Sequence, residues 1–186
     1  PDIIHAHIYS AGVPAVILGK IYKIPVIVTE HYIYFPPRIL SYFEQLKARF
    51  AMNRAQVILA PSNAYKEAIE SYGIKNDFQI VPNVVDIKIF YPPSYREEKD
   101  KKKHLLFVGN LVPKKNIPSL FKALSQIKKQ RQDFVLDIVG EGPNRSEYEE
   151  MACELGFKEV VRFYGMKPKK EVAEFMRNCS FFVMSS

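Results

Sequence analysis

The residues with the clearest chemical potential lie in Phe107-Val-Gly-Asn-Leu-Val-Pro-Lys-Lys-Asn116, where an apolar run breaks at Gly109 and leads into a basic loop. The pattern returns in Phe134-Val-Leu-Asp-Ile-Val-Gly-Glu-Gly-Pro143, again strand, glycine turn and helix. Two such strand ends suggest a doubly wound sheet that holds a phosphate-bearing ligand at its carboxyl edge. Lys114 and Lys115 stand where the charge of that ligand would sit. Lys115 could be a solvated loop lysine, but its place beyond a glycine-ended strand argues for phosphate contact. Gly140-Glu-Gly142 is only a fragment of a dinucleotide fingerprint, and a tight turn explains it without a ligand.

Histidines supply the second candidate chemistry. His31 closes the strand Pro25-Val-Ile-Val-Thr-Glu-His31 beside Glu30 and precedes an aromatic-rich loop, Tyr32-Ile-Tyr-Phe-Pro-Pro37. That position favours function over packing. His5 and His7 could each simply pack at a strand end. Other polar residues at strand ends are Ser62, Asn83, Asn110, and Met166 with Lys167 after Gly165. These candidates divide between two halves of the chain, so a ligand held by both would occupy a cleft between them.

The elements that must position these residues alternate strand with helix. Residues 2–7, 25–31, 56–62 and 78–83 read as strands, with helices expected over 12–23, 38–53 and 64–72 and Gly73 as a stop. Continuous apolar strands imply burial on both faces and a parallel sheet between helices. Tyr91-Pro-Pro-Ser-Tyr95 and the charged run 96–103 then mark a surface linker. Beyond it, strands are expected at 104–109, 134–140, 160–165 and 181–185, and helices at 117–127, 145–156 and 168–178. The stripe Ile117, Leu120, Phe121, Leu124, Ile127 is a core face. Two α/β domains follow, both incomplete: 1–92, a linker at 93–103, and 104–186.

Composition sets the limits. The chain has 186 residues, 47% hydrophobic and 25% charged, with 11 tyrosines and 13 phenylalanines, which is ordinary for a folded protein with a real core. No apolar run is long enough to span a bilayer, and the amino terminus shows no basic-then-apolar leader. The chain starts abruptly at a strand and stops inside Phe181-Phe-Val-Met-Ser-Ser186, so both ends look cut. Cys153 and Cys179 lack partners at metal-ligand spacing and read as buried thiols in a reducing compartment. No nucleophile elbow or catalytic cysteine pattern is present. The net charge of +7 fits a solvated basic face, anionic lipid headgroups, phosphorylated substrates or nucleic acid.

Taken in order, these motifs resemble the nucleotide-sugar-dependent glycosyltransferases of family 4, which have the two-domain GT-B fold. Pro1-Asp-Ile-Ile-His-Ala-His7 is similar to the strand before the acceptor-side loop, and Ile24-Pro-Val-Ile-Val-Thr-Glu-His31 to the segment ending in the active-site histidine. Val81-Pro-Asn-Val-Val-Asp86, with Phe90 and Pro92, resembles the crossing into the second domain, where a glycine usually replaces Val84. Phe107-Val-Gly-Asn-Leu-Val-Pro-Lys-Lys115 resembles the donor-phosphate loop, Val139-Gly-Glu-Gly-Pro143 the turn beside it, and Val161-Arg-Phe-Tyr-Gly165 the strand ending at the nucleobase.

The resemblance implies sugar transfer with retention of configuration from a UDP-, GDP- or ADP-sugar, with no cofactor or required metal, in glycan or glycolipid synthesis. His31 would contact the transferred sugar, and Lys115 would neutralise charge on the leaving diphosphate. Gly109, Asn110, Gly140 and Gly142 would complete the donor site, and Met166 and Lys167 would border the base through backbone groups. Asn110 departs from the family's usual arginine, which puts more of the burden on Lys115. The family's glutamate pair is expected just after Ser186 and its glycine-rich opening loop before Pro1. The acceptor is expected to be a sugar or a lipid-linked molecule. The setting is expected to be cytoplasmic, with peripheral contact at the inner face of the membrane. Two rival readings are a nucleotide-sugar epimerase of the same architecture and a basic nucleic-acid-binding module. Against the second, the lysines gather in a linker and at helix ends, without a recognition motif or stacking aromatics.

Overall fold

The computed structural model describes residues 1–32, 35, 39–93 and 102–186. The chain divides into two compact units, Pro1–Val84 and Val85–Ser186. Most of the expected linker, and much of the aromatic loop after His31, lies outside the described residues.

In the first unit β1 (Ile4–His7), β2 (Val26–Thr29), β3 (Val57–Ala60) and β4 (Phe78–Ile80) form a parallel sheet in the order β1-β2-β3-β4. They are linked by α1 (Tyr9–Tyr22), α2 (Tyr42–Met52) and α3 (Asn63–Glu70). Each crossover steps the same way, and right-handed crossovers of that kind place their helices on one face. Within this chain the strand residues therefore alternate between full and partial burial. Val26, Val28, Ile58 and Ala60 are buried, whereas Ile27, Thr29, Val57 and Leu59 are only half-buried.

Local signals explain the element ends. Ser41 accepts from the Glu44 N–H while Glu44 accepts from the Ser41 N–H, so α2 begins at a capping box rather than at position 38. Ser62 caps α3 by accepting from the Tyr65 N–H at 3.2 Å, which gives it a structural role. Helix α1 begins three residues earlier than the apolar pattern implies. Its first N–H, that of Tyr9, donates to the Glu30 carboxylate just past β2, and no periodicity reveals that.

The second unit contains β5 (Lys103–Val108), a 3-10 turn (Pro113–Lys115), α4 (Ile117–Lys128), β6 (Phe134–Val139), α5 (Arg145–Glu154), β7 (Val161–Gly165), α6 (Lys169–Asn178) and β8 (Phe181–Phe182). All its pairings are parallel and the strand order is β7-β6-β5-β8. The chain thus winds outward from β5 to β7 and crosses back to pair β8 on the other side of β5. Here the two-faced burial is met, since all six residues of β6 are buried. One core, with Leu136, Ile138, Phe121 and Tyr148, lies under α4 and α5. A second, with Leu106, Val139 and Cys179, lies under α6. Residues before β5 also belong to this unit: Arg177 donates to the Ile89 carbonyl at 3.1 Å and lies over the Tyr91 ring.

Candidate active site

The reversal between β5 and β8 creates the point where a doubly wound sheet opens beyond its strand ends. Three strand exits meet there and are laced by backbone. Gly109 N donates to the Val139 carbonyl at 3.0 Å, Leu111 N to the Glu141 carbonyl at 2.9 Å, and Gly140 N to the Gly165 carbonyl at 2.8 Å. The lacing is too tight for side chains. A Cβ on Gly140 would lie 2.0 Å from the Gly109 oxygen, and one on Gly142 would lie 2.3 Å from the Leu111 oxygen. Gly140 also has φ +141, a region that suits glycine alone. These two glycines therefore shape the Gly109–Asn110 loop from behind.

Lys115 ends the 3-10 turn, and its Cε would lie 3.8 Å from a Cβ built on Gly109, so its side chain crosses the glycine. Its carbonyl accepts from Ser185 Oγ at 2.7 Å, which ties the turn to the exit of β8. Lys115 is half-buried while Lys114 and Asn110 are exposed, so only the second lysine of the pair sits in the loop cradle. Met166 is exposed and Lys167 pairs with Glu171 at 3.1 Å, both just past β7. The structure thus brings Gly109, Asn110, Lys115, Gly140 and Gly142 together at one edge, with Met166 and Lys167 beside them on the neighbouring strand exit.

Arg145 is a cation at this edge that sequence reasoning passed over. It ion-pairs with Glu141 and, through Nε at 2.8 Å, with Glu149, both at helical i,i+4 spacing. That spacing was the available signal. For Ser185 there was none, because its partner is 70 residues away.

His31 belongs to the first unit, just past β2. Its ring stacks on His7 with centroids 5.5 Å apart and planes 21° apart, and His7 in turn lies 4.6 Å from His5. His5 Nε2 shares a 2.7 Å hydrogen bond with Thr29 Oγ1. The three imidazoles form a row on the exits of β1 and β2.

A buried carboxylate fastens that row. Glu30 is fully buried, and its two oxygens accept from the Tyr9 N–H and the Tyr32 N–H, each at 2.7 Å. One bond holds the turn after His7 and the other holds the chain just after His31. Burial pushes the Glu30 pKa up to about 7, against the pull of the backbone donors at Tyr32 and Tyr9. The clamped turn contains Ile8 at φ 63, a conformation that a β-branched residue rarely takes. Around the clamp, burial raises the Tyr9 and Tyr65 phenols, with Glu44 adding to the effect on Tyr9 and Glu30 to that on Tyr65.

Comparison with known proteins identifies the family and the fold. Residues 93–186 match the family of glycosyl transferases group 1, and residues 1–89 match Glycosyltransferase Family 4. The alpha-monoglucosyldiacylglycerol synthase of Streptococcus pneumoniae is 24% identical over 209 residues, covering 100% of this chain and 46% of the relative. The lipopolysaccharide 1,6-galactosyltransferase of Salmonella typhimurium is 31% identical over 134 residues, 69% of this chain and 36% of the relative. HepE of Anabaena, solved with UDP and glucose, superposes with a TM-score of 0.81 at 22% identity, covering 100% of this chain and 53% of that one. The chain thus spans about half the length of the relatives it matches. These relatives lend no support to the epimerase or nucleic-acid-binding readings. With both halves matched in order and two parallel α/β sheets in place, the chain belongs to the group 1 glycosyl transferases and carries part of their two-domain GT-B fold.

Proposed function

We propose that the protein is a retaining glycosyltransferase that takes a sugar from a nucleoside diphosphate donor without a required metal. Lys115 crossing Gly109 at the reversal of the second sheet is the observation that carries this reading. The Gly109–Asn110 loop and the Lys115 ammonium would receive the diphosphate, and Met166 and Lys167 would flank the base. Lys115 would neutralise the charge that grows on the leaving diphosphate as the sugar bond breaks. His31 would contact the departing sugar. The HepE structures, solved with UDP and glucose and with UDP-glucose, support a uridine donor.

The acceptor we propose is lipid-linked, because two of the relatives are named for glycolipid or lipopolysaccharide synthesis. The work would be done in peripheral contact with the cytoplasmic face of a membrane, a location supported by the net charge of +7. No helix among the described residues is long and apolar enough to cross a membrane.

Calorimetric titration of UDP into the full-length protein tests the donor site. Lys115→Ala should cost roughly 1.5–3 kcal/mol, about ten- to a hundred-fold in affinity, and Lys115→Gln nearly as much. Asn110→Arg in the Lys115→Ala background should recover part of the loss through two parallel donors. Wild-type affinity in Lys115→Ala would move the diphosphate elsewhere. The anomeric configuration of the product from UDP-glucose, read by NMR, decides retention.

A further inference from the structure

The outer surface of the first unit has a feature that the reaction does not use. Helix α1 is apolar on all sides: of its 14 residues only Lys20 is charged. Tyr9, Gly12, Ala15, Val16 and Gly19 face inward and account for its packing. The opposite side still carries Ile17, Leu18, Ile21 and Tyr22, with Ile21 65% exposed. A helix that is apolar all round is ordinarily buried on every side or placed against lipid.

The neighbouring helix repeats the feature. Gly12 lets α1 approach α2 so closely that an added Cβ would lie 3.0 Å from the Ala51 Cβ. Helix α2 buries Ala48, Ala51 and Met52, while Phe43, Leu46 and Phe50 follow one another at i, i+3 and i+7 on its far side. Phe43 is 74% exposed. Two adjacent helices thus present large apolar side chains outward, beyond what scattered surface residues explain.

Charge selects the occupant. Lys20 and Lys23 close α1, Lys47 lies on α2, and Arg54 follows it with its guanidinium 4.2 Å from the Phe50 ring centroid. All four are exposed, and the only acid within these two helices, Glu44, is turned to Ser41 and Tyr9. An apolar strip bordered by bases complements a bilayer with anionic headgroups, where aromatic and aliphatic side chains enter the acyl boundary and lysines meet phosphates.

We propose that the outer faces of α1 and α2 form a docking surface for an anionic lipid bilayer. This deepens the membrane contact suggested above by naming its surface, and it does not depend on the transfer reaction. The test is co-sedimentation of full-length protein with vesicles of phosphatidylcholine alone or with about one-third phosphatidylglycerol. Wild type should pellet with the mixed vesicles and release as salt rises. Phe43→Ser with Leu46→Ser should weaken partitioning at least about ten-fold, as should Lys20→Glu with Lys47→Glu, with unchanged circular dichroism. Lys115→Ala should pellet like wild type while losing UDP affinity, so failure of the donor reading and failure of the surface give separate results. Wild type that stays in solution with mixed vesicles, or either double variant that pellets equally well, overturns the proposal. So would protection from hydrogen exchange on vesicle addition that falls outside α1 and α2.

Discussion

The two units solve the same problem, placing polar groups at strand ends, by different means. The second unit sandwiches its sheet between helices, with β6 buried along its whole length. It builds its site from backbone, through three strand exits joined by main-chain hydrogen bonds and two glycines that leave no room for a Cβ. The first unit covers one sheet face with α1 and α2 and builds its site from side chains. There a row of imidazoles, of which His7 and His31 stack, lies beside a buried carboxylate that holds the backbone at Tyr9 and Tyr32. A backbone site tolerates almost no added atoms but is indifferent to pH. A side-chain site tolerates volume better and responds to protonation.

Adding one atom should expose the first half of that contrast. Gly140→Ala places a methyl within 2.0 Å of the Gly109 oxygen at φ +141, so the loop must move or the backbone must strain. The expected loss is about 3 kcal/mol or more, concentrated in the second unit. Hydrogen exchange of the β6 amides in full-length protein measures it. Protection equal to wild type would mean that the lacing yields easily and that the glycines are there for another reason.

The row of imidazoles should behave in the opposite way, losing rate before stability. His31→Ala removes an exposed ring whose stacking partner, His7, is also exposed, so unfolding should change little. Turnover in the full-length enzyme should fall roughly a hundred-fold or more if His31 meets the reacting sugar. Near-normal kinetics in a well-folded variant would make His31 a packing residue.

How far the sequence revealed each site follows the same division. Backbone sites leave glycines behind, so Gly109, Gly140 and Gly142, with Lys115 beside them, are legible in the sequence, because close approach has few chemical solutions. Glu30 was noticed only as a neighbour of His31. Its task depends on Tyr9, 21 positions away, whose N–H it reaches across the sheet. Strand runs such as Val26–Thr29 read as continuous and imply two-sided burial, and in this chain, about half the length of its relatives, their residues alternate between full and partial burial. Element existence is therefore readable, and so is the Ser41/Glu44 capping box that starts α2, whereas the start of α1 at Tyr9 is not, since its first N–H bonds Glu30 from 21 positions away. Lys20, Lys47 and the apolar outer faces of α1 and α2 registered only as part of a net charge and an apolar helix.

The smallest predicted effect is also the one that tests the clamp most directly. Glu30→Gln keeps the shape but leaves one oxygen to accept where two now serve the Tyr9 and Tyr32 N–H groups. One buried donor then faces an NH2 group, at a cost of roughly 1–3 kcal/mol. Ile8 at φ 63 loses part of what holds its turn, so the spacing of His7 and His31 should loosen as well. The sign of the pH dependence is set by burial. With a folded pKa of about 7, above the unfolded value, the stabilisation linked to Glu30 is full below the unfolded carboxylate range and is lost as pH rises towards 7. Glutamine cannot titrate, so the variant should lack that decline. Thermal midpoints of full-length wild type and Glu30→Gln, measured from pH 4.5 to 8, should therefore differ most at the acid end and converge as pH rises. A gap that is constant across the range would show that Glu30 stays ionised in the fold, and that its backbone donors outweigh its burial.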